Sequence, residues 1–574
     1  MSLIKKLSEH WLKIYPDQSI KLLENFMLEI ESTRDDIRFP AHVGEWYKDA
    51  IVYSLYVDLF NTDFIGLKKK LDYLQDLGVN CLWLLPILDS PMKDAGFDIR
   101  NYDRIRFELL GLPEDASLEE QRKLFREFLQ EAHNRGIKVI FDIAINHTSD
   151  EHPWFIESRK SEDNPFRDFY HWSKDTNLYK DARIIFEGLE DSNWEKDGEW
   201  YYFHRFFNFQ PDLNYNNPEV LLAMTRNFLF WLTQGVDGFR ADAIPYLWKE
   251  DGTTCENHPM LHHVVKFFRT VVDYVRPHTL LLAEACQRPN VVVEYFGEGD
   301  ECNAGYHFPL MPQMFKAIAA QDKNPVQNIL SQKVTPAIPE SAQWFTFLRC
   351  HDELSLELVY VSEEDRKYIH DNYCKKPDWD FRLGQGVAAR LSELLDRDPQ
   401  KIGLAYSIML SLPGTPIVYY GDEFGKLNDH DYYKEMIKLS GKDDTRFLVR
   451  GKIHWEEVER DLGDSSTFWG DVYRRVKTLL NVRKEYKCFG RGTMEWVDVA
   501  DAEGEPAMEV MAYVRSFENE KLLIVQNQSD KEFWAKSTIF NNLGFNDLLG
   551  KAVIQGKEPG WLMLKPLEYH WIKL

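Results

Sequence analysis

The 574-residue sequence predicts an α/β protein: a closed (β/α)8 TIM barrel with one long insertion, followed by a small antiparallel β domain. Three observations predict it. From residue 50 onward, short and continuously apolar runs alternate with longer amphipathic stretches, as expected for parallel strands covered on both faces by helices. About eight such runs occur, enough to close a barrel. From about residue 490 the texture changes to alternating apolar segments separated by Gly-, Pro- and Asp-containing turns. A doubly wound open sheet is the alternative architecture, but no GxGxxG follows the first strand to supply its usual nucleotide signature.

The elements follow in order. Residues 1–45 predict a helical extension, with Leu22, Leu23, Phe26, Met27 and Ile30 at helical spacing, expected to pack on the main body. AIVYSLYV (50–57) reads as the first strand, 66–76 as a helix and VNCLWLLP (79–86) as the second strand. A helix at 117–135 precedes IKVIFDIA (137–144). Residues 148–215, rich in Trp, Tyr, His, Asp and Asn, interrupt the pattern. It resumes with a helix at 218–234, VDGFRAD (236–242), a helix at 257–275 and TLLLAEA (279–285). NAGYHF (303–308), QWFTFL (343–348) and PIVYYG (416–421) complete the set. The barrel spans 46–147 and 216–486, with a solvated helical insertion at 354–400 that could also cover a pocket, and the β domain spans 487–574.

Composition narrows the function. Sixty-nine basic and 93 acidic residues leave a net charge of −24, which disfavours nucleic acid or an anionic membrane as partner. No apolar run reaches membrane-spanning length, and the N-terminal MSLIKKLSEHW has no signal-peptide pattern, so the expected location is cytoplasmic. Seven cysteines without a CxxC pair read as buried thiols rather than a disulfide or zinc framework. His262 and His263 are adjacent on a helix and point apart, which makes them poor joint metal ligands.

The strand ends carry concentrated polar chemistry: Asp142, Asn146 and His147 after the third strand, Arg240 and Asp242 on the fourth, and Glu284 on the fifth. Arg349, His351, Asp352 and Glu353 follow the seventh, and an early loop brings Asp94 and Asp98. Packing alone does not call for Asp242, Glu284 and Asp352 at one barrel mouth, because desolvating and crowding carboxylates is costly. Barrel-end salt bridging is the plain alternative for any single pair. Together the acids suit glycoside chemistry, in which one carboxylate attacks the anomeric carbon while a second, its pKa lifted, protonates the leaving oxygen. Arg240, two residues before Asp242, shares its strand face and favours the ionised nucleophile. His147 and His351 can donate to sugar hydroxyls.

These residues lie in GFDIRNY (96–102), DIAINH (142–147), QPDLN (210–214), GFRADAIPY (238–246), LLAEA (281–285), LRCHDE (348–353) and GTPIVYYGDE (414–423). The ordered set resembles the α-amylase superfamily of retaining glycosidases and transglycosylases, glycoside hydrolase family 13. The resemblance implies Asp242 as nucleophile, Glu284 as acid/base and Asp352 as the carboxylate that grips and distorts the sugar, with Arg240, His147 and His351 lining that subsite. It places Tyr53 and Asp98 at the subsite floor and Asp94 on the non-reducing end of the sugar; Phe97 stands where a stacking Tyr is usual. The 148–215 interruption corresponds to domain B, which closes one wall.

Phrases such as HTSDEHPWF (147–155), FYHWSKDT (169–176) and YYFHRFFNFQPDLNYNNPEV (201–220) resemble the trehalose synthase subgroup, which isomerises maltose to trehalose. The sequence departs from that pattern in four places. LFNTDFIG (59–66) shortens the usual calcium loop, leaving Asn146 with loop oxygens as the remaining calcium position; the chemistry itself asks for no cofactor. Cys350 replaces the common Asn beside His351. RFLVRGKIHW (446–455) alters a familiar segment, with Arg450 at the expected spacing to Trp455 and Arg446 its rival for contact with substrate. The helical extension is longer than usual. The leading expectation is therefore conversion of maltose to trehalose through a covalent glucosyl-enzyme. A family hydrolase or transglycosylase using another small acceptor is the close alternative, and a non-catalytic sugar-binding or interaction protein the distant one. The resemblance leaves room for a homodimer, with no patch in the sequence to place its interface.

Overall fold

Eight parallel strands form the closed barrel: β1 (Val52–Leu55), β2 (Cys81–Leu84), β3 (Lys138–Ala144), β4 (Gly238–Asp242), β5 (Leu280–Ala283), β6 (Ala304–Tyr306), β7 (Gln343–Phe347) and β8 (Thr415–Tyr419). A computed structural model describes residues 3–543 and 547–574; positions 1–2 of the predicted extension and 544–546 of the predicted C-terminal domain lie outside the described residues. Each strand pairs with its sequence neighbour and β1 closes on β8, with Val52 opposite Ile417. All strand residues except Lys138 and Asp242 are buried, which is why these strands read as continuous apolar runs.

Local signals set the helix ends. The helix Leu118–Asn134 starts at a capping box in which Ser117 and Glu120 satisfy each other's backbone amides. The helix Pro218–Gln234 has Asn217 as N-cap, Pro at its first position and Gly235 at its end. Gly235 has φ +105°, and a Cβ there would lie 2.5 Å from the Phe39 ring, so both backbone and space require glycine. The single helix predicted at 66–76 is two, Phe64–Lys69 and Leu71–Leu77.

The N-terminal extension folds as α1 (Leu3–Ile14) and α2 (Ile20–Asp36). It packs on Pro218–Gln234, hereafter α3, and on α4 (Pro259–Val275). Leu7, Trp11, Leu23, Phe26 and Ile30 are buried there, and Trp11 meets the Phe267 ring at 6.3 Å. The Tyr15 hydroxyl donates to the Tyr215 carbonyl at 2.8 Å, and Glu29 pairs with Arg226 at 2.7 Å.

Between β3 and α3, an antiparallel three-stranded sheet (Trp172–Ser173, Trp200–Phe203, Trp194–Asp197) stands over the C-terminal ends of the barrel strands. The 354–400 insertion is not purely helical. Helix α5 (Glu363–Tyr373) is joined by a small sheet of Leu354–Ser355, Gly386–Val387 and Asp380–Phe381. The C-terminal part has two antiparallel sheets, one of four strands and one of three. Arg515 fastens it to the barrel by donating to the carbonyls of Ser411, Cys488, Phe489, Gly492 and Thr493, which satisfies a buried guanidinium without an acid. Among the described residues no helix is long and apolar enough to cross a membrane. All seven cysteines are free thiols; five are buried, while Cys286 and Cys374 are half-buried.

Burial of Trp11 makes the N-terminal hairpin part of the cooperative unit. Trp11→Ala is expected to cost about 3–5 kcal/mol in guanidinium unfolding. A loss below about 1 kcal/mol would show instead that α1 separates from the barrel before it unfolds.

Candidate active site

Arg240 and Asp242 face the same way because strand side chains alternate. One guanidinium nitrogen of Arg240 donates at 2.6 Å to both Asp142 and Asp242, and another lies 3.9 Å from Glu284. Arg240 also donates to the Tyr306 hydroxyl at 3.2 Å and lies against the Trp83 and Phe97 rings. Asp142 accepts a second bond from the Trp83 indole at 2.8 Å. The chain turns sharply after β4: Ala243 has φ +57°, a left-handed conformation costing a non-glycine residue about 1–2 kcal/mol. Its amide then donates to Glu284 at 3.0 Å, and the Cys286 thiol donates to the other Glu284 oxygen at 3.2 Å.

The loop after β7 brings Asp352 to the same recess. Its carboxylate meets His351 at 3.1 Å, Arg446 at 3.1 Å and Arg450 at 3.3 Å. Opposite, Asp94 accepts from Gln210 at 3.0 Å and lies 3.7 Å from Arg446, while the Gln210 amide also reaches His147 at 3.3 Å. Phe97 stacks on His351 with centroids 5.4 Å apart. The side chains of Asp242, Glu284 and Asp352 keep 13%, 16% and 31% of their surface open, against 2% for Asp142, so these three carboxylates face the recess and Asp142 backs it.

Electrostatics separates the acids. Burial pushes Glu284 above the ordinary carboxylate range; Arg240 opposes that, and the nearby Asp242 charge adds to it. Burial acts the same way on Asp352, but the guanidinium charges of Arg446, Arg450 and Arg240 outweigh it and hold this carboxyl well below the usual range. Glu353 is pushed up to about 7 by burial and the Asp352 charge. His351 is driven down to about 3 by burial and by the surrounding arginines, so its ring is neutral. Burial and neighbouring charge thus pull Glu284 and Asp352 in opposite directions within one recess.

Asp94, Phe97, His147, Arg240, Asp242, Glu284, His351 and Asp352 come together as expected. Four expectations need correction. Tyr53 does not reach the recess: its hydroxyl donates to Glu423 at 2.7 Å behind the strand, and Tyr56, an odd number of residues away and thus on the opposite face, stands by His351. Asp98 is fully buried and accepts from Ser90 and from the amides of Lys93 and Asp94, so it shapes the loop that presents Asp94. Arg450 lies behind Asp352, bonded to the His351 carbonyl at 3.0 Å, and Arg446 is the arginine that faces the recess. Asn146 gives its oxygen to the Lys249 ammonium at 2.7 Å, and Lys249 lies 2.7 Å from Asp212. A divalent cation there would meet that ammonium, so these residues do not fit calcium.

The sequence reading missed most of the roof. Ile185, Phe186 and Phe206 come from the segment between β3 and α3, and Glu357, Phe381 and Arg382 from the 354–400 insertion. Glu357 joins the two roof segments, 3.4 Å from Arg183 and 3.2 Å from Arg382. Arg183 continues to Glu256 at 2.8 Å, and Glu256 also pairs with the buried Arg205. The mixed charge of the insertion concealed this role; the signal present was a Phe–Arg pair beside a short apolar run. The recess, with the open space at its mouth included, amounts to about 880 Å3.

The family model for the α-amylase catalytic domain matches residues 32–373. A trehalose synthase/amylase of Mycobacterium tuberculosis is 40% identical over 521 residues, covering 84% of this chain and 82% of that protein. A trehalose synthase of a Pimelobacter species is 41% identical over 509 residues, covering 82% of this chain and 84% of that one. The crystal structure of the α-amylase from H. orenii has the same fold, with a TM-score of 0.68 over 92% of this chain and 99% of that chain at 23% identity.

The thiol bond to Glu284 favours its ionised form. Cys286→Ala is therefore expected to raise the Glu284 pKa further, read by infrared or carbon-13 titration of that carboxyl. An unchanged or lowered midpoint would show that the thiol does not act on Glu284.

Proposed function

The chain belongs to the α-amylase family of retaining α-glucoside enzymes, and we propose that within it this protein isomerises maltose to trehalose by transferring one glucosyl unit inside a closed pocket. The observation that carries the proposal is the roofed recess. Asp242, Glu284 and Asp352 face a cavity that Glu357 and Arg382 also line, and Glu357 there ties Arg183 of one insertion to Arg382 of the other, which suits retention of a cleaved glucose.

In this reading Asp242 attacks the anomeric carbon of the non-reducing glucose of maltose. Glu284 gives its proton to the glycosidic oxygen, the C–O bond breaks, and the second glucose is released into the pocket while the first stays esterified to Asp242. Asp352, fixed by Arg446, Arg450 and His351, holds the distorted sugar ring. Asp94 and Arg446 orient its non-reducing end, and Phe97, His147 and His351 pack and hydrogen-bond around it. The free glucose turns so that its anomeric hydroxyl faces the ester. Glu284, now a carboxylate, takes that hydroxyl's proton; the oxygen attacks and Asp242 leaves. The product is the α-1,1-linked disaccharide. Water in place of the glucose gives hydrolysis, and the roof limits that route by favouring the acceptor already inside. In this reading the chemistry asks for no cofactor, since Asp242 supplies the nucleophile and Glu284 carries the proton in both steps.

Asp242→Asn is expected to abolish both turnover and covalent trapping by an activated fluoro-sugar. Glu284→Gln is expected to lower kcat on maltose by about 10²–10⁴-fold while sparing substrates with good leaving groups. Continued labelling in the first variant, or equal losses on both substrate classes in the second, would overturn these roles. On maltose itself, a time course is expected to show trehalose forming faster than glucose. Glucose without trehalose would replace isomerisation with hydrolysis, or with transfer to another acceptor.

A further inference from the structure

The insertion that roofs the pocket carries a second group of chemically able side chains, away from the three carboxylates. His370 and Cys374 are four residues apart at the end of α5, and the Cys374 amide donates to the His370 carbonyl at 2.8 Å, so helical geometry stacks the two side chains on one face. Asp380, from the adjoining short strand, meets the His370 ring at 2.8 Å. One ligand atom from each of the three lies within 4.8 Å of the others. His370 and Asp380 keep 27% and 33% of their side-chain surface open, so an ion can enter from solvent. The neighbouring cations point elsewhere: Lys375 binds Asp396 and the Leu394 carbonyl, and Lys376 lies over the Trp379 ring.

We propose that His370, Cys374 and Asp380 form a binding site for one zinc-class divalent cation, with water in the fourth position. Sulfur, imidazole and carboxylate together suit zinc and disfavour magnesium or calcium, which take oxygen ligands. Binding displaces the Cys374 thiol proton to solvent, and the thiolate and carboxylate then balance the charge of the ion. The His370 ring takes the tautomer that leaves the nitrogen facing Asp380 free to ligate. The second cluster of this kind, Cys350–His351–Asp352, is a weaker candidate because Arg446 and Arg450 already hold Asp352 and repel a cation. The proposed ion would join α5 to the strand Asp380–Phe381, whose Phe381 and the following Arg382 line the pocket. The Asp380 carbonyl also accepts from Thr445 at 3.0 Å, next to Arg446, so the site braces the roof from outside.

The test uses the full chain, stripped by chelator and titrated with Co2+, then with Zn2+. The expected result is one Co2+ per chain with a thiolate-to-cobalt charge-transfer band, displaced by Zn2+. Cys374→Ser is expected to remove the band, and His370→Gln and Asp380→Asn to weaken cobalt binding at least about tenfold. Cys350→Ser is expected to leave the band unchanged. Circular dichroism confirms that each variant is folded, and a zinc-induced rise in Tm is expected for the parent chain and absent in Cys374→Ser. No band in the parent chain, a band retained in Cys374→Ser, or a band lost in Cys350→Ser would each overturn the proposal.

Discussion

One buried guanidinium organises the barrel mouth. Arg240 bonds Asp142 and Asp242 and stands within 4 Å of Glu284, so a single positive charge offsets carboxylates from three strands. Without it, three acids would be desolvated side by side, and the simplest relief would be to protonate more than one. Removing one partner from such a buried pair costs about 3–5 kcal/mol. The cost is met locally: Trp83, Phe97 and Tyr306 surround the guanidinium, and the Trp83 indole caps the outer face of Asp142. The barrel interior and the reactive groups are therefore one construction.

A second arginine pair does for Asp352 what Arg240 does for the strand acids, with a different outcome. Arg446 and Arg450 arrive from a segment nearly a hundred residues further on and hold Asp352 ionised, while burial, only partly opposed by Arg240, pushes Glu284 above the ordinary carboxylate range. The acids are alike in chemistry, and the balance of burial against guanidinium charge sorts them: Asp142, bonded to Arg240, is still pushed up to about 7 by its burial. The roof extends the same logic: Glu357 ties Arg183 of one insertion to Arg382 of the other, and Arg183 also pairs with Glu256 in the loop before α4.

Much of this was legible before folding. The eight barrel strands fall on the apolar runs, and α3 has the bounds that Asn217, Pro218 and Gly235 announce. The grouped acids, Arg240, His147 and His351 were visible as polar residues at strand ends, where a barrel gathers its loops. Other readings stopped at one dimension. Tyr53 and Tyr56 are equally aromatic, and only strand parity decides which faces inward. Arg446 and Arg450 are one helical turn apart, and only the packing of their loop decides which meets the recess. Asn146 is an apt metal ligand until Lys249, a hundred residues on, places its ammonium there.

The sequence by itself determined the barrel, the C-terminal sheets and the gathering of Asp242, Glu284 and Asp352 at one barrel mouth, because these follow from local periodicity and from residue types at strand ends. Tertiary structure decided the opposite shifts of Glu284 and Asp352, the joining of two insertions beside the pocket and the meeting of His370, Cys374 and Asp380. Each of these depends on side chains from separate elements coming within a few ångströms, and electrostatic energy at that range varies steeply with distances that no linear pattern encodes.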